Sequence, residues 1–184
     1  MTVPAVPRAL LDATVLGVDG APVRLASTWA EHPVVLVLLR HFGCLFCKEQ
    51  AAEMSAAGDE IERLGARLVF VGSGSAQYAR WFQEDYAPGR PVYSDAELVT
   101  YRALEARRGL RTSVNARTVW LSVRALLRGF RQGRTQGDQY QQGAVAVIAP
   151  GGSMPYLHVS EVAGDHPRPK DVLAVLRGMR IAAR

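Results

Sequence analysis

The run Val34 to Leu39 (VVLVLL) admits few placements, because six consecutive apolar residues, three of them valine, fit a strand covered on both faces of a largely parallel sheet. Arg40, His41, Phe42 and Gly43 break the run, and from Cys44 the period changes. Cys47, Ala51, Met54, Ala57, Ile61 and Leu64 recur every three or four residues, which predicts one buried helical face reaching to Gly65. The two cysteines of the chain therefore stand together at a strand-to-helix junction.

That position has chemical consequences. The first turn of a helix carries unpaired N–H groups and a partial positive charge, which favour a thiolate. Arg40, His41 and Lys48 add to the same field. A three-residue offset puts both sulfurs on nearly the same side of the turn, within reach of a disulfide. Thiols in such motifs have pKa values lowered to roughly 3.5 to 7.5, so the nucleophilic form is populated near neutral pH. Two other readings compete. A structural zinc site would need histidines from His32, His41, His158 or His166, best as a His41, Cys44, Cys47 cluster, and no second ligand pair at metal spacing exists. The cysteines can also be inert core residues, which suits Cys47 on the buried stripe; Cys44, at the helix mouth, is expected to be the more accessible sulfur.

Around this centre the chain reads as alternating strands and helices. Residues 1–10 suggest an extended leader, because Pro4 and Pro7 oppose helix. Asp19-Gly20 joins Thr14–Gly17 to Val23–Ala26 as a hairpin. Arg67–Val71 and Pro91–Tyr93 predict further strands, with a helix to Tyr86 capped by Ser73 or Ser75, and Asp95 caps another. Ala144–Ile148 and Tyr156–Ser160 form a closing hairpin before a last helix through Met179. His158 reads as half-buried structure and His166 as a turn residue.

Residues 109–143 do not fit this alternation. Val119, Trp120, Val123, Leu126, Leu127 and Phe130 recur at helical spacing, with Arg117, Arg124, Arg128 and Arg131 away from that stripe, which predicts a basic amphipathic helix. Its arginines are expected to be solvated and its apolar stripe to face the domain edge or a second copy. The polar tail 131–143 reads as a mobile loop. The formal net charge of +5 is concentrated here, since no acidic residue stands between Glu105 and Asp138, so nucleic-acid binding is not expected. No apolar run is long enough to span a membrane, and the first residues lack the pattern of a secretory signal. A chain of 184 residues suits one domain, 1–184, with the insertion at about 109–143.

RHFGCLFCKEQAAEM (40–54), QQGAVAVIAPGG (141–152) and GDHP (164–167) resemble the peroxiredoxin-like branch of the thioredoxin superfamily. More narrowly, they resemble the alkyl hydroperoxide reductase/thiol-specific antioxidant domain proteins that carry CxxC, a group related to prostamide/prostaglandin F synthase. The resemblance implies a redox role for Cys44 and Cys47 and a thioredoxin-like three-layer α/β/α sandwich with an N-terminal β-hairpin, to which residues 109–143 add an inserted basic helix. Four places depart from the wider pattern. In the peroxiredoxin frame Pro-x-x-x-Thr-x-x-Cys, Cys47 takes the peroxidatic position and Cys44 the threonine's. The thioredoxin Gly-Pro is Leu45-Phe46 here, with Gln142-Gly143 at the cis-proline position. Gly43 stands where thioredoxins carry tryptophan.

The expected function is a thiol redox enzyme that reduces peroxides or disulfides, with Cys44 attacking and Cys47 resolving to a transient disulfide. Neither step needs a metal or an organic cofactor. Reduction falls to an external thiol system, a thioredoxin-like protein or glutathione, and a cysteine pair cycling this way suits the cytoplasm. A lipid endoperoxide or quinone reductase and a non-enzymatic redox-sensing module are the alternatives. No membrane partner is expected, and a homodimer through the basic helix is.

Overall fold

Gly20 sits at φ +82° and the Asp19 carboxylate accepts the Ala21 amide, so β1 (Thr14–Leu16) folds back onto β2 (Pro22–Arg24) as the antiparallel pair the sequence predicts. The structure, a computed structural model, describes residues 3–109, 116–135 and 137–182.

Every residue of β3 (Val34–Leu38) and of β6 (Ala144–Ile148) is buried, and β4 (Arg67–Gly72) is buried from Leu68 onward. β3 lies between them, parallel to β4 with Val34 opposite Arg67, and antiparallel to β6 with Val34 opposite Ile148. Together with β5 (Val92–Ser94) and β7 (Tyr156–Val159) they form one seven-stranded sheet in the order β2-β1-β5-β4-β3-β6-β7.

Both faces of β3 are covered, which is why its sequence shows no alternation. Val35 and Val37 pack with side chains of α2 (Leu45–Ala56), α3 (Gly58–Arg63), α4 (Ala76–Tyr86) and α7 (Pro169–Ala182). Leu36 and Leu38 pack on the other face with Leu10 of α1 (Arg8–Leu11), Leu25 and Trp29 of a 3-10 turn, and Tyr101 of α5 (Val99–Ala103). Each such aliphatic side chain contributes about 2 kcal/mol relative to leaving it exposed. The result is the expected three-layer α/β/α arrangement.

Several local expectations change. The helix after Cys44 is interrupted at Ala57 (φ −89°, ψ 0°), and α3 restarts at Gly58. A Cβ at Gly58 would stand 2.6 Å from the Arg90 guanidinium, which pairs with Asp59 and Glu62 through that break. The leader is extended only to Pro7, which sits at the N-cap of α1. Ser75 stands at the N-cap of α4 but its side chain makes no capping hydrogen bond, and the Ser73 hydroxyl donates to the Arg40 carbonyl at 2.7 Å. Asp95 does cap, accepting the Val99 and Thr100 amides at 3.1 and 2.8 Å.

Candidate active site

β3 ends at Leu38 and the turn 39–43 delivers Cys44 to the N-cap of α2, with Cys47 in the first turn. The Tyr101 hydroxyl, buried beneath, donates to the Leu39 and Val71 carbonyls and so ties together the strand ends that carry the turn. Arg40 addresses both sulfurs. Its backbone N–H donates to Cys47 Sγ at 3.1 Å, and its Nη1 donates to Cys44 Sγ at 3.4 Å. The guanidinium is fixed from behind by the Gln141 carbonyl at 3.2 Å and the Gln139 carbonyl at 2.6 Å.

The two thiols are pushed apart in acidity. A hydrogen bond from the Cys47 thiol, helped by the charges of Arg40 and His41, outweighs burial and holds the Cys44 thiol well below the ordinary thiol range. Burial, and then the bond to Cys44, pushes the Cys47 thiol well above it. These effects favour the thiolate at Cys44 and the thiol at Cys47. His41 is buried too, and burial lowers its pKa against the opposing pull of Cys44.

Cys44 is 1% exposed and Cys47 2%, so Cys44 is not the accessible sulfur its place at the helix mouth suggests. The cause is the segment expected to be a mobile loop. Residues 131–135 and 137–142 lie across the motif as a strap. Gly133 N–H donates to the Gly43 carbonyl at 2.9 Å, the Gln132 side-chain oxygen accepts the Leu45 amide at 3.2 Å, and Lys48 Nζ donates to the Arg131 carbonyl at 3.1 Å. Gly43 permits this approach, since a Cβ there would collide with the Arg134 carbonyl. Further along, Gly137 adopts φ +110° against Ser73, and the Asp138 amide donates to Ser73 Oγ at 3.2 Å.

The basic helix, α6 (Ala116–Leu127), does not dock on the domain edge by its larger apolar stripe; of the two expected placements, the exposed stripe leaves the one facing a second copy. Val119, Trp120, Val123, Leu126 and Leu127 are 52% to 84% exposed, while Leu121 and Ala125 face the core beside α2. Ion pairs explain the choice. Glu49 of α2 is wholly buried, and Arg128 Nη1 lies 2.5 Å from both its Oε1 and that of Glu53, with Arg124 Nη2 3.5 Å from Glu49. These arginines are paired, not free in solvent. Arg108 likewise binds Asp138 of the strap at 2.6 Å. Arg111 and the side chain of Arg117 lie outside the described residues. His166 is more than a turn residue: its side chain is 8% exposed, with Nε2 3.6 Å from Glu53. That contact, with Arg128, holds the Glu53 carboxyl down at about 2. His158 stands by Asp165 as a structural residue, and His32 is exposed.

Cys44 and Cys47 are thus brought together, with Arg40, His41 and Lys48 around them. Sequence reasoning missed the strap carbonyls at Gln139 and Gln141, and the supports from Ser73 and Tyr101. The one available signal was the glycine spacing of 133, 137 and 143, which permits a backbone to lie close to another.

A family model described as AhpC/TSA antioxidant enzyme matches residues 53–162, a span that begins just after the two cysteines. The chain is 31% identical over 164 residues to human (Homo sapiens) prostamide/prostaglandin F synthase, covering 86% of this chain and 82% of that protein. It is 27% identical over 168 residues to the chloroplastic thioredoxin-like protein AAED1 of Arabidopsis thaliana, covering 86% and 68%. Among solved structures, peroxidoxin BcpB from Mycobacterium tuberculosis superposes with a TM-score of 0.70 at 20% identity, covering 97% of each chain, and shares the fold.

Proposed function

Because the chain belongs to the AhpC/TSA antioxidant enzyme family, a peroxiredoxin-like group of thioredoxin-like fold, we propose that it reduces peroxides, and secondarily disulfides, through Cys44 and Cys47. The observation that carries this reading is a pair of adjacent sulfurs both addressed by Arg40, a setting that favours division of one proton between them, with the thiolate at Cys44.

The steps follow from that division. With the strap lifted, the Cys44 thiolate attacks the terminal oxygen of a hydroperoxide, the O–O bond breaks, and the departing alkoxide takes up a proton to leave as alcohol or water. Cys44 is now a sulfenic acid. The Cys47 sulfur attacks it, forming the disulfide and releasing water. An external dithiol, a thioredoxin-like protein, or two molecules of glutathione return two electrons and two protons. With a disulfide substrate the first product is a mixed disulfide, which Cys47 resolves in the same way. Such a cycle suits a reducing compartment such as the cytoplasm.

A second reading, reduction of a lipid endoperoxide, draws support from the similarity to prostamide/prostaglandin F synthase. Self-association through the outward stripe of α6 completes the proposal, and sedimentation of the wild type at the single-chain mass of 20.0 kDa contradicts it. Peroxide consumption coupled to dithiothreitol tests the cycle. Wild type turns over repeatedly and Cys44→Ser consumes nothing, while Cys47→Ser, assayed without the dithiol, reacts once per chain and stops at the sulfenic acid. Oxidation that stops after one equivalent in the wild type favours a redox sensor over an enzyme.

A further inference from the structure

We propose that Asp138 is a positioning residue for the thiol chemistry: it shapes the turn whose two carbonyls hold the Arg40 guanidinium on Cys44. The proposal rests on the thiol-enzyme reading above and adds to that same site a residue from a distant segment of the chain.

The Asp138 carboxylate builds the turn. Its Oδ1 accepts the Tyr140 amide at 2.8 Å, the bond to the backbone two residues on by which aspartate fixes a turn. The Gln141 amide donates to the Asp138 carbonyl at 3.2 Å and closes it. Arg108 Nε pins Oδ2 at 2.6 Å, and the Asp138 amide donates to Ser73 Oγ at 3.2 Å. Residues 106–109 brace the far side. The Tyr140 carbonyl accepts the Gly109 amide at 3.1 Å, the Gln142 amide donates to the Arg107 carbonyl at 2.8 Å, and Gln141 Nε2 donates to the Ala106 and Arg107 carbonyls at 3.2 and 3.1 Å. Within this frame the Gln139 and Gln141 carbonyls are directed at Arg40.

Guanidinium geometry carries the effect to the sulfur. The group is a rigid planar fork, so anchoring two of its N–H groups aims a third. Nη2 meets the Gln139 carbonyl at 2.6 Å and Nε the Gln141 carbonyl at 3.2 Å, which sets Nη1 on Cys44 Sγ at 3.4 Å. A cationic donor held there favours the thiolate. Cys47 donates to the same sulfur, and the charges of Arg40 and His41 act on it. Asp138 has two influences of opposite sign. Burial raises its carboxyl, but Arg108 and the Tyr140 and Gln141 amides outweigh that and hold it below the ordinary range, so it carries a negative charge, which by itself disfavours a neighbouring thiolate. As the residue that shapes the turn, it favours one. The sign of the change on mutation therefore tells the two apart.

The test follows thiolate absorbance of the whole chain against pH. Asp138→Ala removes charge and turn together, and should raise the ionisation midpoint of Cys44 by about one pH unit, the scale of one hydrogen bond to a charged group. Asp138→Asn keeps an oxygen for the Tyr140 amide and should leave the midpoint at the wild-type value. Asp138→Glu keeps the charge but places it one carbon too far out for the turn; it should raise the midpoint as alanine does, and it replaces that variant if Asp138→Ala does not fold. On an Arg40→Met background, Asp138→Ala should add nothing. A midpoint that stays or falls in the folded turn-breaking variant overturns the role. So does a rise in Asp138→Asn equal to that in Asp138→Ala, or a full rise that persists on the Arg40→Met background. None of these readouts needs a peroxide. If the wild type consumes no peroxide while the midpoint moves as stated, the peroxidase reading fails and the positioning role stands; if turnover is present and the midpoint does not move, the positioning role falls alone.

Discussion

α2 and α6 are helices of the same length, 12 residues, packed against each other, and they treat their apolar residues in opposite ways. On α2 the periodic stripe, Cys47, Ala51 and Met54, is buried as its spacing predicts, and polar Glu49 and Gln50 are buried as well. On α6 the stripe is exposed and the side carrying Leu121 and Ala125 is buried. An apolar period identifies a face, but the direction in which it points depends on what the neighbouring element demands. Here the neighbour presents Glu49, a buried carboxylate that must be met by a cation. Arg124 and Arg128 flank Ala125, and pairing them with α2 turns the larger apolar residues outward.

Removal of the cation that meets Glu49 should have the largest effect. Arg128→Ala leaves a buried carboxylate with Arg124 alone at 3.5 Å, and should cost about 3 kcal/mol in chemical denaturation. Glu49→Leu should cost much less, because it removes the charge that needs the partner. Equal losses in the two variants would show that the pair does not orient the helix. A smaller contrast sharpens the same point: Leu121→Ala should cost about 2 to 3 kcal/mol, whereas Trp120→Ala should stay within about 0.5 kcal/mol. If Trp120→Ala proves the more damaging in dilute monomer, the helix is docked the other way round.

The central layer was legible because unbroken apolar runs leave little choice. Val34–Leu38 and Ala144–Ile148 are buried strands as expected, and the position of Cys44 and Cys47 on a helix start follows from the change of period after Gly43. The strap was not legible. Its residues are glycine, glutamine and arginine, which read as solvated chain, and they become ordered through main-chain groups whose partners, Gly43, Leu45, Lys48 and Arg40, are about a hundred residues distant or nearly so. No local pattern reports such pairing. The same holds for Cys44: helix-mouth position predicted accessibility, and a distant segment removed it.

The claim on which the rest depends is that Cys44 holds the negative charge and Cys47 the proton. Thiolate absorbance followed against pH in the wild type, Cys44→Ser and Cys47→Ser tests it most directly. The folded-state pKa of Cys44 is depressed, so its ionised form persists as pH falls below the ordinary thiol range; that of Cys47 is raised, so its proton is lost only above that range. Peroxide reactivity should therefore persist at pH values below the ordinary thiol range and decline as Cys44 takes up its proton. The wild type should show one early-ionising thiol that disappears in Cys44→Ser, shifts upward in Arg40→Met, and survives, less depressed, in Cys47→Ser. An early-ionising thiol that remains in Cys44→Ser and vanishes in Cys47→Ser would contradict this assignment and move the attacking role to Cys47.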